Sequence, residues 1–198
     1  MIYVIILQSL WLILPAYIAN GSAALVGGGT PIDMGKKWKD GKRIFGDGKT
    51  WRGLIVGTLI GMIGGFGQSV AAKFISPTEY NFLEFETLDF TGFPLMIPIV
   101  FSICFGALFG DIIESFFKRR RGIERGKDWI PFDQLDFILG VLILNFLITG
   151  VLYLTNITDY FWFAETFTVW HLIFLICVTP FFHFLGNFLN GNRKPKKA

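Results

Sequence analysis

Five long stretches of apolar residues, separated by polar segments, dominate the chain. They cover residues 2–24, 53–74, 93–113, 135–154 and 169–189. Each is close to the ~20 mostly apolar residues that a helix needs to cross a bilayer. The pattern therefore predicts an all-α integral membrane protein with five transmembrane helices, which form a single membrane domain over residues 1–198.

Composition agrees with a membrane protein and argues against a soluble or a disordered chain. Hydrophobic residues make up 53% of the sequence and charged residues 17%, and the mean hydropathy is +0.54. This is too apolar for an ordinary soluble domain and for the polar composition that keeps chains unfolded. Cys104 and Cys177 lie inside apolar stretches, which favours a packing role over a disulfide or a zinc site.

Basic residues are concentrated in alternate polar segments. Lysine and arginine are abundant in residues 20–52, in residues 114–134 and in the tail at 190–198, whereas residues 76–92 and 155–168 contain neither. Because cytoplasmic loops carry the excess of lysine and arginine, this pattern predicts an external N-terminus and a cytoplasmic C-terminus. Both basic loops would then face the cytoplasm.

Polar residues recur on one face of the helix that ends the third span. At the i, i+3, i+4 and i+7 positions of this face stand Asp111, Glu114, Ser115 and Lys118. The charged set continues toward the next span with Arg119, Lys127, Asp128, Asp133 and Asp136. Carboxylates among lysines and arginines, without a matching histidine and cysteine set, favour a hard cation such as Mg²⁺ that holds phosphates. The alternative is a solvated basic loop that attracts anionic lipid.

The first basic loop is rich in glycine, lysine and aspartate. Glycine lets backbone N–H groups approach an anion, and lysine and arginine add positive charge, so the loop is a candidate phosphate-binding segment. It is not a P-loop of the G-x-x-x-x-G-K-[ST] type, because Arg43 stands where the first glycine is required and no strand precedes it. A flexible basic loop with Asp-Gly turns is the alternative.

Taken together, these motifs resemble a known family of membrane enzymes. The pattern Gly110-Asp111-x₃-Ser115-x₂-Lys118-Arg119, followed by Lys127-Asp128 and Asp133-x₂-Asp136, resembles the C-terminal signature of the CTP-dependent phosphatidate cytidylyltransferases. Pro31-Ile32-Asp33 and the run Gly46-Asp47-Gly48-Lys49-Thr50-Trp51-Arg52-Gly53 are more similar to the archaeal branch, the CDP-archaeol synthases. The resemblance covers essentially the whole chain.

The resemblance implies a specific reaction at the cytoplasmic side of the cell membrane. The cytidylyl group of CTP would pass to 2,3-bis-O-geranylgeranylglyceryl phosphate, with Mg²⁺ as cofactor, giving a CDP-activated ether lipid and pyrophosphate. On this basis we predict catalytic roles for Asp111, Lys118, Asp128 and Asp136, and metal binding by Asp111, Asp128, Asp133 and Asp136. The residues predicted to bind CTP are Thr30, Asp33, Lys36, Gly46, Asp47, Lys49, Thr50, Arg52, Ser115, Arg119 and Lys127.

Two other functions fit parts of the pattern. A small transporter of anions or lipids would also have charged loops and kinked helices, but transport sites usually lie near the middle of the membrane. Four of the five predicted spans have no Asp, Glu, Lys or Arg in their interiors. A five-span glycerol-phosphate acyltransferase would tolerate the glycine-rich loop but gives no reason for so many aspartates. The expected partners are CTP, a lipid phosphate and the bilayer, without nucleic acid and with no prediction of the oligomeric state.

Overall fold

The protein is a bundle of long apolar helices. The computed structural model describes residues 2–75, 89–124, 127 and 129–191, with the side chains of residues 75 and 182–191 outside the description. Within these ranges the helices are α1 (Ile2–Val26), α2 (Trp51–Ile75), α3 (Met96–Arg120), α4 (Phe132–Leu154), α5 (Trp162–Thr166) and α6 (Val169–Gly191).

The lengths and apolar compositions of the helices are those of an integral membrane protein. The first four long helices are each long and apolar enough to cross a membrane, and the described apolar part of α6, Val169–Phe181, is shorter. The all-α membrane fold is therefore confirmed, while the fifth span stays a prediction. Helix α3 continues beyond the predicted end at residue 113 to Arg120, so the charged stripe is helical.

Helices α1 and α2 pack with their backbones close together. A Cβ atom on Gly57 would lie 2.7 Å from the Cβ of Ala23, and one on Gly61 would lie 2.7 Å from the Cβ of Ala19. Small residues at four-residue spacing allow this approach between membrane helices. The α1–α2 contact therefore depends on glycine at these positions.

A proline inside α1 is accommodated by a neighbouring helix. Pro15 has no N–H, so it frees the carbonyl of Trp11 one turn earlier. The side-chain amide of Gln68, on α2, donates a 3.0 Å hydrogen bond to that carbonyl. The freed backbone group is therefore satisfied inside the bundle, as a membrane interior requires.

Helices α3 and α4 cross at a second glycine contact. A Cβ atom on Gly106 would lie 2.7 Å from the carbonyl oxygen of Gly140, and one on Gly140 would lie 2.7 Å from the Cα of Gly110. Gly110 is followed directly by Asp111, and Asp136 lies one helical turn before Gly140. The crossing therefore brings these two aspartates, from different helices, to the same end of the bundle.

The loop between α1 and α2 is anchored to both helices. The Thr50 hydroxyl accepts a 3.1 Å hydrogen bond from the N–H of Gly53 and thus caps the start of α2. The Arg52 guanidinium donates to the carbonyls of Val26 and Gly27, at 2.7 and 2.6 Å, where α1 ends. Positive charge is favourable at this end of a helix, so one side chain joins the two helix termini.

A buried aspartate organises the interior of the same loop. Asp33 accepts hydrogen bonds from Arg43 and from the backbone N–H groups of Phe45 and Gly46, at 2.6, 3.0 and 2.9 Å. Burial alone would raise the pKa of this carboxyl, but these donors outweigh burial and hold the pKa well below its usual range. Asp33 therefore fixes the loop as a carboxylate.

The loop also rests against the end of α3. The Arg120 guanidinium pairs with Asp40 and donates to the backbone carbonyls of Lys42 and Arg43. The Trp38 ring meets the Phe116 ring edge-on, with centroids 5.4 Å apart. Charged and aromatic contacts thus hold the glycine-rich loop over the charged stripe of α3.

Asp33→Asn should loosen the loop, because an amide cannot accept all of these hydrogen bonds. Leaving buried donors unsatisfied costs about 1–3 kcal/mol, so backbone amides 45 and 46 should exchange about five- to a hundred-fold faster in a hydrogen-exchange measurement. The lowered pKa stabilises the native protein above about pH 4 and this contribution is lost as the pH falls further. The Asp33→Asn variant should lack this contribution of residue 33 to the pH dependence of the free energy of unfolding.

Asp47→Asn is the matched control, since the exposed Asp47 carboxylate contacts the same guanidinium at 2.7 Å. Exposed ion pairs contribute about 0–1 kcal/mol, so exchange should change little. Equal acceleration in both variants would contradict the assigned role of Asp33.

Candidate active site

Three carboxylates converge where α3 and α4 cross. Asp111 and Glu114 project from one face of α3, and Asp136 comes from α4. One oxygen from each lies within 4.8 Å of the others. Like charges this close repel one another unless cations or protons intervene. The cluster is therefore a strong attractor for positive charge.

Two lysines supply part of that charge. Lys49, from the α1–α2 loop, places its Nζ atom 2.5 Å from Oδ2 of Asp111. Lys118 places its Nζ atom 2.6 Å from Oδ2 of Asp133 and 3.7 Å from Oε1 of Glu114. The Lys49 ion pair thus joins the α1–α2 loop to α3, and the Lys118–Asp133 ion pair joins the end of α3 to the start of α4.

The cluster also retains capacity to bind a cation. Oε1 of Glu114 is buried and has no hydrogen-bond partner among the described residues. Hard divalent ions such as Mg²⁺ and Ca²⁺ prefer carboxylate oxygens. Asp111, Glu114 and Asp136 can therefore hold a metal ion, each of them offering one carboxylate oxygen.

A cavity of about 560 Å³ lies between the loop and the acidic cluster. Its volume falls within the range of small-molecule sites. Carboxylates form one part of the wall, and the cationic part consists of Lys42, Arg43, Lys49, Lys118 and Arg119. A wall with both signs suits a polyanion that carries a metal ion, because the metal meets the carboxylates and the free phosphate oxygens meet the cations.

Many of the residues predicted from sequence meet in this cavity. Its lining includes Gly46, Asp47, Lys49, Asp111, Ser115, Lys118, Arg119, Asp133 and Asp136. Other predicted residues do not line it: Thr30, Asp33, Lys36, Thr50, Arg52 and Lys127. Asp128, predicted as a catalytic and metal-binding residue, lies outside the described residues.

The predicted residues outside the cavity have other contacts. Asp33, Thr50 and Arg52 hold the loop and the helix ends together, as described above. Lys36 is exposed, and Lys127 pairs with Glu124 at 3.3 Å on the surface. Their role toward CTP stays a prediction, and their observed role is support of the cavity wall or contact with solvent.

Sequence reasoning did not assign metal binding to Glu114. The signal was available, because Glu114 lies three residues after Asp111 and so shares its helix face. The structure adds its burial and its short distance to Asp136, which only the α3–α4 crossing determines. Lys42 and Arg43 were likewise not assigned to the site, although both line the cavity.

Comparison with known proteins identifies the family. Residues 2–194 match the family model described as CarS-like, CDP-archaeol synthase. The CDP-archaeol synthase of Thermococcus onnurineus is 43% identical over 92% of this chain and 90% of its own. That of Methanocaldococcus jannaschii is 39% identical over 96% of this chain and 94% of its own.

A solved structure extends the comparison to the fold. It is described as an intramembrane enzyme for archaeal membrane lipid biosynthesis, and it matches this chain with a TM-score of 0.68 and 32% identity. The match covers 92% of this chain and 94% of the solved one. Sequence and structure agree over nearly the full length, and the chain belongs to the CDP-archaeol synthase family.

Proposed function

We propose that this protein transfers the cytidylyl group of CTP to the phosphate of an unsaturated archaeal ether lipid, 2,3-bis-O-geranylgeranylglyceryl phosphate. The observation that carries the proposal is the three-carboxylate cluster, which faces a cavity lined by five lysines and arginines. This arrangement suits two phosphate-bearing substrates that repel each other. Family membership supports the same reaction, since the relatives are named for the product CDP-archaeol.

The reaction needs positioning and charge neutralisation more than proton transfer. An oxygen of the lipid phosphate, already ionised near neutral pH, attacks the α-phosphorus of CTP. The new bond joins that oxygen to the α-phosphorus, and the bond to the oxygen that bridges the α- and β-phosphates breaks. Pyrophosphate leaves with the electron pair. The protein must therefore align two polyanions and stabilise the charge that develops on the leaving group.

The acidic residues are assigned to metal binding. Asp111, Glu114 and Asp136 would hold Mg²⁺, with Asp133 beside them in its ion pair with Lys118. Bound Mg²⁺ would supply Lewis-acid stabilisation of the phosphates and a fixed point for their alignment. Asp128 is proposed as a further ligand from the sequence pattern.

The basic residues are assigned to the triphosphate. Lys49, Lys118 and Arg119 line the same cavity as the acidic cluster, so they lie within one substrate-sized volume of it. In the structure, Lys49 forms an ion pair with Asp111. We propose that its ammonium group leaves this carboxylate and pairs with a phosphate oxygen when metal-bound CTP enters. Ser115 and the backbone around Gly46 complete the proposed CTP site.

The cavity is proposed to open to the cytoplasm. With α6 as a fifth span, the positive-inside rule puts the N-terminus outside and the α1–α2 loop, the end of α3 and the basic tail inside. CTP is a cytoplasmic solute, whereas the lipid phosphate is confined to the bilayer. A site at the inner interface lets both substrates reach one acidic cluster.

Asp111→Asn should abolish Mg²⁺-dependent formation of CDP-linked lipid while the protein stays folded, because it removes a charge with little change in volume. Glu114→Gln should reduce the same rate at least tenfold by weakening metal binding. Radiolabelled CTP incorporation across a magnesium titration measures both effects. Asp159→Asn, an identical change at an exposed residue between α4 and α5, is the control. Near-native activity of Asp111→Asn would reject the metal assignment.

Lys49→Met should separate metal affinity from catalysis. Without CTP, loss of the ammonium that occupies Asp111 should tighten Mn²⁺ binding, measured by electron paramagnetic resonance or calorimetry. With CTP, loss of a charged phosphate contact worth about 1.5–3 kcal/mol should lower kcat/KM for CTP by roughly ten- to a hundred-fold.

Lys39→Met provides the control within the same loop, because Lys39 is exposed and does not line the cavity. Neither metal affinity nor kcat/KM should change. If Lys49→Met weakened metal binding instead, Lys49 would have to be reassigned as a support of the acidic cluster.

The proposed topology can be tested by thiol labelling in intact cells. In a background free of Cys104 and Cys177, Asp159→Cys should react with a membrane-impermeant maleimide and Lys37→Cys should not. Both positions are exposed in the structure, so accessibility should depend on the side of the membrane. The reverse labelling pattern would put the CTP cavity outside the cell and reject the topology.

A further inference from the structure

A basic segment of the α1–α2 loop lies outside the proposed active site. Residues 34–39, here called the loop tip, read Met-Gly-Lys-Lys-Trp-Lys, and all six are exposed. Their lysines are Lys36, Lys37 and Lys39. None of the three lines the cavity, and among the described residues none of them has a salt-bridge partner. Their charge therefore takes no part in the acidic cluster or its cavity.

The carboxylates of the same loop are already paired with arginines. Asp33 and Asp47 both contact Arg43, at 2.6 and 2.7 Å, and Asp40 pairs with Arg120. No acidic side chain of this described loop is thus left to neutralise the three lysines of the loop tip. The loop tip presents a local excess of positive charge to its surroundings.

The backbone of the loop tip is held in a fixed shape by turns on both sides. On one side, the N–H of Gly35 donates a 3.1 Å hydrogen bond to the carboxylate of Asp33. On the other, the N–H of Trp38 donates to the carbonyl of Lys42 at 2.8 Å, and the N–H of Gly41 donates to the carbonyl of Trp38 at 3.0 Å. The lysines therefore project from a preformed surface.

One face of α3 carries aromatic rings that the helix bundle leaves partly uncovered. Phe101, Phe105 and Phe109 follow one another at four-residue spacing, with successive ring centroids 5.2 and 5.7 Å apart. Phe116, seven residues after Phe109, continues this face, about 140° around the helix from Asp111 at about 100° per residue. An exposed apolar face on a helix long enough to cross a membrane is suited to contact lipid.

Trp38 places the loop tip at the end of this lipid-facing surface. Its ring meets the Phe116 ring edge-on, with centroids 5.4 Å apart, while 46% of Trp38 stays exposed. Helix α3 has 25 residues, hence a length of about 37 Å, whereas the hydrocarbon core is about 30 Å thick. Phe116 lies one turn before the end of α3 at Arg120, near the boundary between hydrocarbon and headgroups. Tryptophan is enriched at this level of a membrane.

We infer that the loop tip is a docking surface for anionic lipid headgroups of the surrounding membrane. Trp38 and Met34, which is 65% exposed, contact the interfacial region, and the three lysines contact lipid phosphates. Basic and apolar side chains combined in one segment are typical of binding at a membrane surface. Each lysine near an anionic surface favours the contact about fivefold. The inference does not depend on the proposed function.

An acidic soluble protein is the other partner that three lysines attract. It would match the charge of the loop tip, but it gives no reason for the position of Trp38 against the lipid-facing surface of α3. Charge and position together favour the membrane.

The test measures which lipids lie beside the loop tip. In a background free of Cys104 and Cys177, Met34→Cys is labelled with bimane, and the full chain is placed in nanodiscs of equimolar phosphatidylcholine and phosphatidylglycerol. A nitroxide near the top of one acyl chain of either lipid quenches the fluorophore. Labelled phosphatidylglycerol should quench at least threefold more than labelled phosphatidylcholine. This ratio should approach one at about 1 M salt, where the screening length is about 3 Å.

Two matched variants separate the loop tip from the general positive charge of the protein. The first replaces the three lysines of the loop tip: Lys36→Gln, Lys37→Gln and Lys39→Gln. Quenching by the two lipids should become equal. The control makes the same change at three lysines of the C-terminal tail, Lys194, Lys196 and Lys197, and should keep the preference. Backbone amides 45 and 46, which are bonded to Asp33, should exchange at the wild-type rate in both variants and so report an intact loop.

Trp38→Ser tests the apolar part of the contact. It should lower quenching by both labelled lipids at least twofold, because the loop tip loses its interfacial ring, whereas Trp38→Phe should retain most of the quenching. Unchanged quenching in Trp38→Ser would contradict the placement of the loop tip at the bilayer.

Three other results would overturn the inference. The first is equal quenching by the two lipids with all three lysines present. The second is an equal loss of preference in the loop-tip and tail variants, which would show a diffuse effect of charge. The third is the absence of quenching by either lipid, which would leave the loop tip to an acidic soluble partner.

Discussion

The close contact between α3 and α4 is the constraint on which the rest of the site depends. Gly106, Gly110 and Gly140 let the two backbones touch, and the contact lies next to Asp111 and Asp136. Helices separated by ordinary side chains have axes 8–10 Å apart or more, which would spread the carboxylates. The metal-binding capacity of the cluster is therefore a product of backbone packing as much as of the acidic residues themselves.

The acidic cluster in turn explains the arrangement of positive charge around it. Carboxylates this close are unfavourable at the edge of a membrane unless they are neutralised. Lys49 and Lys118 do this from two different segments, the first loop and the end of α3. The same ion pairs thus balance the acidic cluster and hold at its edge the two lysines that we propose for binding the triphosphate.

Sequence predicted the parts of the fold that follow from local patterns. The long apolar helices and the helical stripe from Asp111 to Lys118 depend on composition and spacing, and both were correct. The family resemblance was confirmed by the comparisons. Sequence alone could not distinguish the side chains that hold the loop together from those that reach the acidic cluster. Asp33 and Lys49 both look like ligands there, yet Asp33 is surrounded by backbone donors whereas Lys49 reaches the acidic cluster. That distinction depends on the folding of the loop and on contacts with residues more than 60 positions away.

The anchored loop has a consequence for how nucleotide affinity arises. Thr50 and Arg52 fix the loop to two helix ends, and Asp33 and Arg120 hold its interior and its far side. Ordering a flexible loop of this length at each binding event would oppose association through lost conformational entropy. Here that entropy is lost once, when the chain folds. In the function that we propose, each arriving nucleotide would meet a preorganised wall, and its binding energy would remain available for alignment against the second substrate.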